Sequence, residues 1–451
     1  MCAQVLNGEA SRRLDQRLAL WQSQGRIPSV VEAVVRDGGV VWSGACGSFP
    51  DGVDPVRLRY RIGSITKTFV AVVVMRLRDA GRLRLDDRVE RFVPGTAVGG
   101  ATVGQLLSHT GGVAAELPGS WWERSPGVQW PQVADSAVMM GAAGGGHHYS
   151  NVGFAVLGEV VSRLCGRAWH EEVAASVLAP LGMVDTSVVA DGVCASGLAV
   201  HPFADVVMPE VVHDTAAMGA AGQLWSSVAD LARWACFVAG DTGEVLSPDT
   251  LAQMRHPVTV VDGPQWTAGQ GLGFQVWRRG GRRLVGHGGS MPGFQAGLTV
   301  DEQSGCAVVS VLNCTTPSVP SDVTQVLDIV AQWDPPAVVP WTALPGVDAG
   351  LLEVTGMWLW GTSQVVVRVE RDGGLRVEAV SGMASSSRFR PNGDGTFTGC
   401  QGYYRGELLR VVRDDDGAVS HLDIGTFVFT RAPYQPSAVV PGGVVRPWPE
   451  T

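Results

Sequence analysis

Apolar residues recur at helical spacing over positions 10–24 with charged residues between them, which predicts an amphipathic helix. Directly after it, VVEAVVRDGGVVWSGACG runs apolar on either side of Asp37-Gly38-Gly39, the pattern of a hairpin, so an antiparallel sheet opens the fold. RIGSITKTFVAVVVMRLRDAG then predicts an apolar helix starting near Ser64 and ending at Gly81. Further helical stretches fall at 102–108, 152–165, 170–179 and 227–238, strand-like runs at 273–278, 283–287, 294–300 and 306–312, and a last helix near 321–333. Strands at both ends of a helical middle imply an α+β domain whose sheet pairs early strands with late ones.

Beyond this point the pattern changes. The proline-rich DPPAVVPWTALPG, 334–346, reads as a linker. After it, QVVVRVERDGGLRVEAV, SSRFRPNGDGTFTG, ELLRVVRDDDGAVSHLDI and TFVFTRA alternate apolar and polar positions and turn at Asp-Gly or Asn-Gly-Asp-Gly. Such a meander of short strands closes most simply into a small all-β barrel. The expected division is an α+β domain over 1–335, a linker over 336–348, and a barrel with a C-terminal tail over 349–451.

At 451 residues the chain exceeds what one core usually serves, in keeping with two domains. A net charge of -9 leaves no basic field for a phosphate backbone, which argues against a nucleic-acid partner. The longest apolar stretch, Phe69 to Met75, is too short to cross a bilayer, so no membrane span is expected. Charge appears within the first dozen residues and no apolar segment leads to a small-residue cleavage site, which predicts a cytoplasmic protein. Eight scattered cysteines without a Cys-x-x-Cys pair are expected to be reduced and mostly buried.

One composition detail points to chemistry. Of 34 basic residues only Lys67 is a lysine. Codon bias accounts for arginine wherever charge alone matters, so the surviving lysine marks a position where arginine will not serve. A lysine amine can be desolvated and lose its proton, whereas a guanidinium stays charged. Ser64 and Lys67 lie three residues apart at a helix start, on one face. A lysine whose pKa is lowered by burial and by the positive helix end can take the serine proton and make a nucleophile. The alternative is an N-cap serine with an exposed lysine one turn later.

Two further segments add to this pair. Tyr149 can relay a proton, and the amide of Asn151 can donate to a substrate carbonyl; the alternative for Asn151 is a loop residue capping the next helix. Leu284 to Ser290 reads as a strand running into glycines, where His287, Gly288 and Gly289 let a substrate backbone lie along the edge. The N–H of Ser290 could join that of Ser64 in an oxyanion hole, while His287 taken alone is equally a structural histidine. Adjacent His147 and His148 diverge and make no metal pair, and no motif calls for a cofactor.

Ser64-x-x-Lys67, Tyr149-x-Asn151 and His287-Gly288-Gly289 occur in this order, with 85 residues from Ser64 to Tyr149 and 136 from Asn151 to His287. This order resembles the class C β-lactamase-like serine hydrolases, the penicillin-binding-protein and esterase superfamily. Leu106 to Gly112 and Gly219 to Ser226 resemble it too, and the C-terminal part is similar to the lipocalin-like barrel of some members. The resemblance implies a β-lactamase-like α+β domain, Ser64 as the acyl-carrying nucleophile, Lys67 as its base, Tyr149 as proton shuttle and Asn151 as holder of the acyl chain. By the same resemblance His287 takes the place of a lysine, and Gly288 that of a hydroxyl residue which helps bind a β-lactam carboxylate, so poor β-lactam hydrolysis is expected.

The expected substrate is a small-molecule or peptidyl ester, thioester or peptide. A cytoplasmic catalytic domain followed by a lipocalin-like barrel resembles the penicillin-binding-protein-type thioesterases, which release nonribosomal peptides as macrocycles; a synthetase carrier protein is then the partner. A cytosolic esterase or a D-amino-acid-specific peptidase is the alternative. Arg446, a lone cation in the tail, is a candidate for a substrate carboxylate or simply a solvated arginine. A non-catalytic ligand-binding or sensor protein is a third reading, disfavoured because a binder needs no serine, lysine and tyrosine together.

Overall fold

The computed structural model of the chain describes residues 5–433, apart from 318–320, 337, 339, 345, 381–385 and 426. Two compact units emerge, Met1–Pro336 and Ala337–Thr451.

The first unit begins with α1 (Gly8–Gly25), capped by the Asn7 side chain, and the hairpin β1 (Ser29–Arg36) and β2 (Gly39–Gly47). After the short strand β3 (Tyr60–Arg61) and the 3-10 turn Gly63–Ile65 comes α2 (Thr66–Asp79). A helical layer follows, with α3 (Val103–Leu107), α4 (Trp130–Ser136), α5 (Asn151–Cys165), α6 (Trp169–Val173), α7 (Val228–Ala239) and α8 (Pro248–Met254). Short strands β4 (Leu198–Val200), β5 (Val207–Pro209) and β6 (Trp225–Ser226) interrupt it. The chain then returns to the sheet through β7 (Thr259–Val260), β8 (Ala268–Gln270), β9 (Gln275–Arg279), β10 (Arg282–Met291), β11 (Phe294–Asp301) and β12 (Ala307–Leu312), and ends in α9 (Val323–Trp333).

These strands form one antiparallel sheet in the order β2-β1-β12-β11-β10-β9-β8-β7, so β1 pairs directly with β12 (Val30 opposite Leu312), an early strand beside a late one as expected. Both faces are covered, which explains the nearly unbroken apolar run of β1. Val31, Ala33 and Val35 enter the core shared with the helical layer, while Val30 and Val34 enter the core under α1 and α9. Glu32, buried in the middle of that strand, is held by Arg17 of α1 at 2.7 and 2.9 Å.

At the centre of the helical layer, every α2 residue from Thr66 to Met75 is buried. Phe69 stacks on Trp234 of α7 with centroids 4.0 Å apart, and Trp234 in turn on Phe237 at 4.5 Å. A helix apolar on all sides belongs inside a layer, and any polar group it carries loses its water.

The second unit carries α10 (Ala349–Glu353) and eight strands: β13 (Gly356–Trp360), β14 (Ser363–Val369), β15 (Leu375–Ala379), β16 (Ser387–Pro391), β17 (Thr396–Gln401), β18 (Leu408–Arg413), β19 (Val419–Ile424) and β20 (Phe427–Thr430). They close into an antiparallel barrel in sequence order, with Leu359 of β13 opposite Thr430 of β20. Trp358, Phe389, Phe397 and Phe429 fill its interior.

Some features differ from the sequence reading. The helix expected from Ser64 starts with a 3-10 turn. α4, α8 and β13 lack the periodicity that would have announced them: the helices span only seven residues each, and MWLW in β13 does not alternate. The seven described cysteines are free, yet only Cys306 and Cys314 are buried and the other five are half-buried, because they sit at the margins of the cores. No helix among the described residues is long and apolar enough to cross a membrane.

Candidate active site

The turn Gly63–Ile65 lies against β10. Gly63 adopts φ +50°, and a Cβ there would fall 2.4 Å from the Ser290 nitrogen; a Cβ on Gly289 would fall 1.8 Å from the Ile62 oxygen and 3.3 Å from the Ser64 nitrogen. Only glycine at both positions lets the two segments approach this closely. β10 pairs with β11 over Leu284 to Met291 but with β9 only as far as Gly286, so beyond that point one edge has no strand partner among the described residues. His287 to Ser290 occupy this open stretch.

Lys67 Nζ stands 2.9 Å from Ser64 Oγ and donates to the Ala221 carbonyl at 2.6 Å. The side chain is completely buried, and this desolvation brings the amine down to about 7, against the smaller upward pull of Glu116 and Glu123. The exposed-lysine alternative is thereby removed, and no side-chain cap bond is made at the start of α2. Near neutral pH a large share of Lys67 is an uncharged amine within hydrogen-bond distance of a hydroxyl.

Tyr149 completes the group. Its ring stacks on His109 at 4.2 Å and lies 5.1 Å from Lys67 Nζ. Burial drives its phenol well above the ordinary tyrosine range, partly offset by a hydrogen bond with Ser64, so it is a proton-bearing phenol at neutral pH. Of the two neighbours of Ser64, the lysine is therefore the group able to accept a proton and the tyrosine the one able to give it.

Ser150, not Asn151, caps α5: its hydroxyl accepts from the Gly153 N–H at 2.9 Å and donates to the Ala114 carbonyl at 2.6 Å. Asn151 is released from capping, but its amide donates to Glu116 Oε1 at 2.6 Å, and its Oδ1 is buried without a partner. The sequence reading gave that amide to a substrate carbonyl; here a carboxylate 35 residues away has taken it.

His287 is buried, with its ring 6.2 Å from that of Tyr149. Its Nδ1 lies 2.5 Å from the Gly288 carbonyl, an acceptor, so the ring proton sits on Nδ1 and the partnerless Nε2 is a bare lone pair. Burial, with the charge of Lys67 adding to it, lowers its pKa to about 3 against the weaker opposing pull of the Gly288 bond. It is thus neutral and does not reproduce the charge of the lysine whose place the resemblance gave it. Gly288 is exposed, and a Cβ there would meet nothing within 4 Å.

The structure thus gathers Ser64, Lys67, Tyr149, His287, Gly289 and Ser290 around one open strand edge, with Asn151 at the foot of the adjoining helix. Arg446 lies outside the described residues. Three residues were not assigned from sequence. His109 sits inside the Leu106 to Gly112 motif, and its Nδ1 accepts the Ser150 N–H at 3.0 Å. Glu116 and Glu123 lie on a loop with no local signal; Trp122 Nε1 donates to Glu116 at 2.5 Å, and Trp121 Nε1 to Glu123 at 2.9 Å. No group of three or more His, Cys, Asp or Glu among the described residues is arranged to hold a metal.

A serine beside a desolvated lysine, at the head of a buried helix and against the open edge of an antiparallel sheet, defines a fold and site of the β-lactamase and penicillin-binding-protein-like type. Residues 10–331 match the family described as Beta-lactamase, and the chain belongs to that family. Residues 347–431 match a domain of unknown function (DUF7586). Beta-lactamase-like protein 2 of Dictyostelium discoideum is 26% identical over 276 residues, which are 56% of this chain and 50% of that protein, so the chain spans only half of this relative's length. Among solved structures, a D-stereospecific amidohydrolase from Streptomyces sp. is 27% identical with a TM-score of 0.60, covering 72% of this chain and 99% of its own. SurE, 24% identical with a TM-score of 0.58, covers 94% of this chain and 99% of its own, a likeness of fold.

Proposed function

We propose that Ser64 carries the acyl group of a peptidyl ester, thioester or amide, with Lys67 as general base. The observation that carries this reading is the Lys67 amine, 2.9 Å from Ser64 Oγ and brought down to about 7. The neutral amine takes the hydroxyl proton as Oγ attacks the carbonyl, and the N–H groups of Ser64 and Ser290 face the oxyanion. Tyr149 passes a proton to the departing amine, thiolate or alkoxide. The acyl-serine is then attacked by water or an amine, whose proton returns by the same route.

For the donor we propose a peptidyl (thio)ester ending in a D-residue, delivered on a nonribosomal synthetase carrier protein in the cytoplasm, with the peptide's own amine as acceptor and a macrocycle as product. The second reading is a D-residue-specific amidase or peptidase with water as acceptor; the Streptomyces D-stereospecific amidohydrolase favours it. Two experiments test the proposal. A fluorophosphonate probe followed by intact-mass spectrometry should label the wild type once and Ser64→Ala not at all; a label persisting in the variant removes the nucleophile assignment. A peptidyl thioester with a D-residue at its C-terminus and a free N-terminus should yield mainly cyclic product, whereas exclusively linear product across several peptides establishes the hydrolase.

A further inference from the structure

Arg61, on β3, is the only buried arginine among the described residues. Its Nη2 donates to Gln223 Oε1 at 3.0 Å, while Nε and Nη1 are buried and meet no acceptor. Gln223 Oε1 is already shared, since it accepts from the Thr215 hydroxyl at 2.7 Å and from the Thr215 N–H at 3.3 Å. Glu123 and Asp214 pull on the charge of Arg61, but neither forms an ion pair with it; Glu123 accepts from Trp121 Nε1, and Asp214 Oδ1 from the Ala216 N–H at 2.9 Å. Burial outweighs that pull and brings the guanidinium down to about 10, which leaves it a cation at neutral pH. A buried cation with unmet donors and no counter-charge beside it is strongly destabilising.

We propose that Arg61 holds a small monovalent anion of the chloride type, which accepts from the N–H groups the chain leaves free and supplies the missing counter-charge. Complete burial of the side chain limits the ligand to a few atoms. Gln223 and Trp225, the residue opposite Arg61 across the β3–β6 ladder, line a cavity of about 420 Å³ together with His213 and Asp214, which places space for a small ion beside the partners of the guanidinium. Water satisfies N–H groups but brings no charge, so the anion is the ligand that answers both demands. Arg61 lies three residues before Ser64, and Gln223 two residues after Ala221, whose carbonyl accepts from Lys67. An anion at Arg61 therefore stabilises the junction between the two segments that carry the Ser64 and Lys67 contacts. The proposal concerns that support and does not depend on the acyl-transfer reading.

The test compares thermal unfolding of the full chain in sodium chloride and in sodium gluconate, an anion too large to enter, at equal ionic strength. The wild type should melt higher in chloride, by on the order of 2 to 4 °C, and the difference should saturate with concentration as binding to one site does. Gln223→Glu puts a carboxylate where Oε1 already accepts from Nη2 and gives up only the 3.3 Å bond to the Val188 carbonyl. With its own counter-charge this variant should melt at the same temperature in both salts, and Arg61→Met, which removes the cation, should lose the difference too. Crystals of the wild type grown in bromide should show an anomalous peak within hydrogen-bond distance of the Arg61 guanidinium. Equal wild-type midpoints in the two salts, or no bromide peak at Arg61, overturns the proposal and leaves solvent as the partner of Nε and Nη1. A chloride effect that survives undiminished in Gln223→Glu places the ion elsewhere and overturns it as well. If Arg61→Met does not fold, Gln223→Glu and the wild-type bromide map decide the matter without it.

Discussion

The imidazole of His109 lies stacked on the phenol of Tyr149, with ring centroids 4.2 Å apart and planes inclined by 29°. The same imidazole accepts the Ser150 N–H through Nδ1, and the His109 carbonyl accepts from His148 at 2.7 Å, so one residue holds the backbone on both sides of Tyr149. His109 itself has φ +55°, a left-handed conformation that asparagine tolerates better than most side chains.

Replacing His109 by alanine leaves the Ser150 N–H buried without an acceptor. We expect a stability loss of ~1 to 3 kcal/mol and a fall in kcat larger than any change in KM, because Tyr149 loses its support. His109→Asn keeps an acceptor and the backbone preference and should recover part of both. Equal activity of the alanine variant and wild type would show that Tyr149 is positioned by other means.

With Lys67 as the proposed base, acylation needs its neutral form, so the rate should rise with pH through about 7 and then level. Lys67→Arg keeps the charge but has no accessible neutral form, and should lose about 10²- to 10⁴-fold, close to the loss in Lys67→Ala. The folded-state pKa lies below the unfolded value near 10.5, so between these limits the unfolded chain binds more protons, and this residue makes stability increase with pH across that window. A pH-rate profile and urea melts at several pH values check both statements.

His287 is shifted the same way at lower pH, from 6.5 to about 3. Between these values the unfolded chain takes up a proton that the folded chain refuses, so stability falls on acidification by up to about 1.4 kcal/mol per pH unit from this residue. His287→Gln should flatten the acid limb of the stability curve by as much as that one proton. An unchanged limb in the variant would mean that His287 gains a proton without unfolding.

Wild-type protein should be acylated only slowly by a chromogenic cephalosporin, since neither a hydroxyl at position 288 nor a charge at position 287 is available to the β-lactam carboxylate. Open space around a Cβ at Gly288 means that Gly288→Thr should fold normally and acylate faster. Rapid turnover by wild type, or no gain in the variant, would show that the carboxylate is bound elsewhere.

Local pattern in the sequence already determined most element types and the closeness of Ser64 to Lys67. Alternation and Asp-Gly turns specify the barrel hairpins because a strand's period and turn chemistry are short-range, and Ser64 meets Lys67 because three residues are nearly one helical turn. That early strands pair with late ones also followed, since strands at both ends of one domain have few other partners, while the particular neighbours, β1 beside β12, came from the folded chain. Tertiary structure alone decided the protonation states: near neutral pH Lys67 is partly uncharged and His287 is neutral because helices and strands distant in sequence exclude water from them, and desolvation cannot be read from neighbours along the chain. The reversal of Asn151 belongs to the same class, because its polarity is set by Glu116 on a loop 35 residues away, which only the folded chain brings to 2.6 Å.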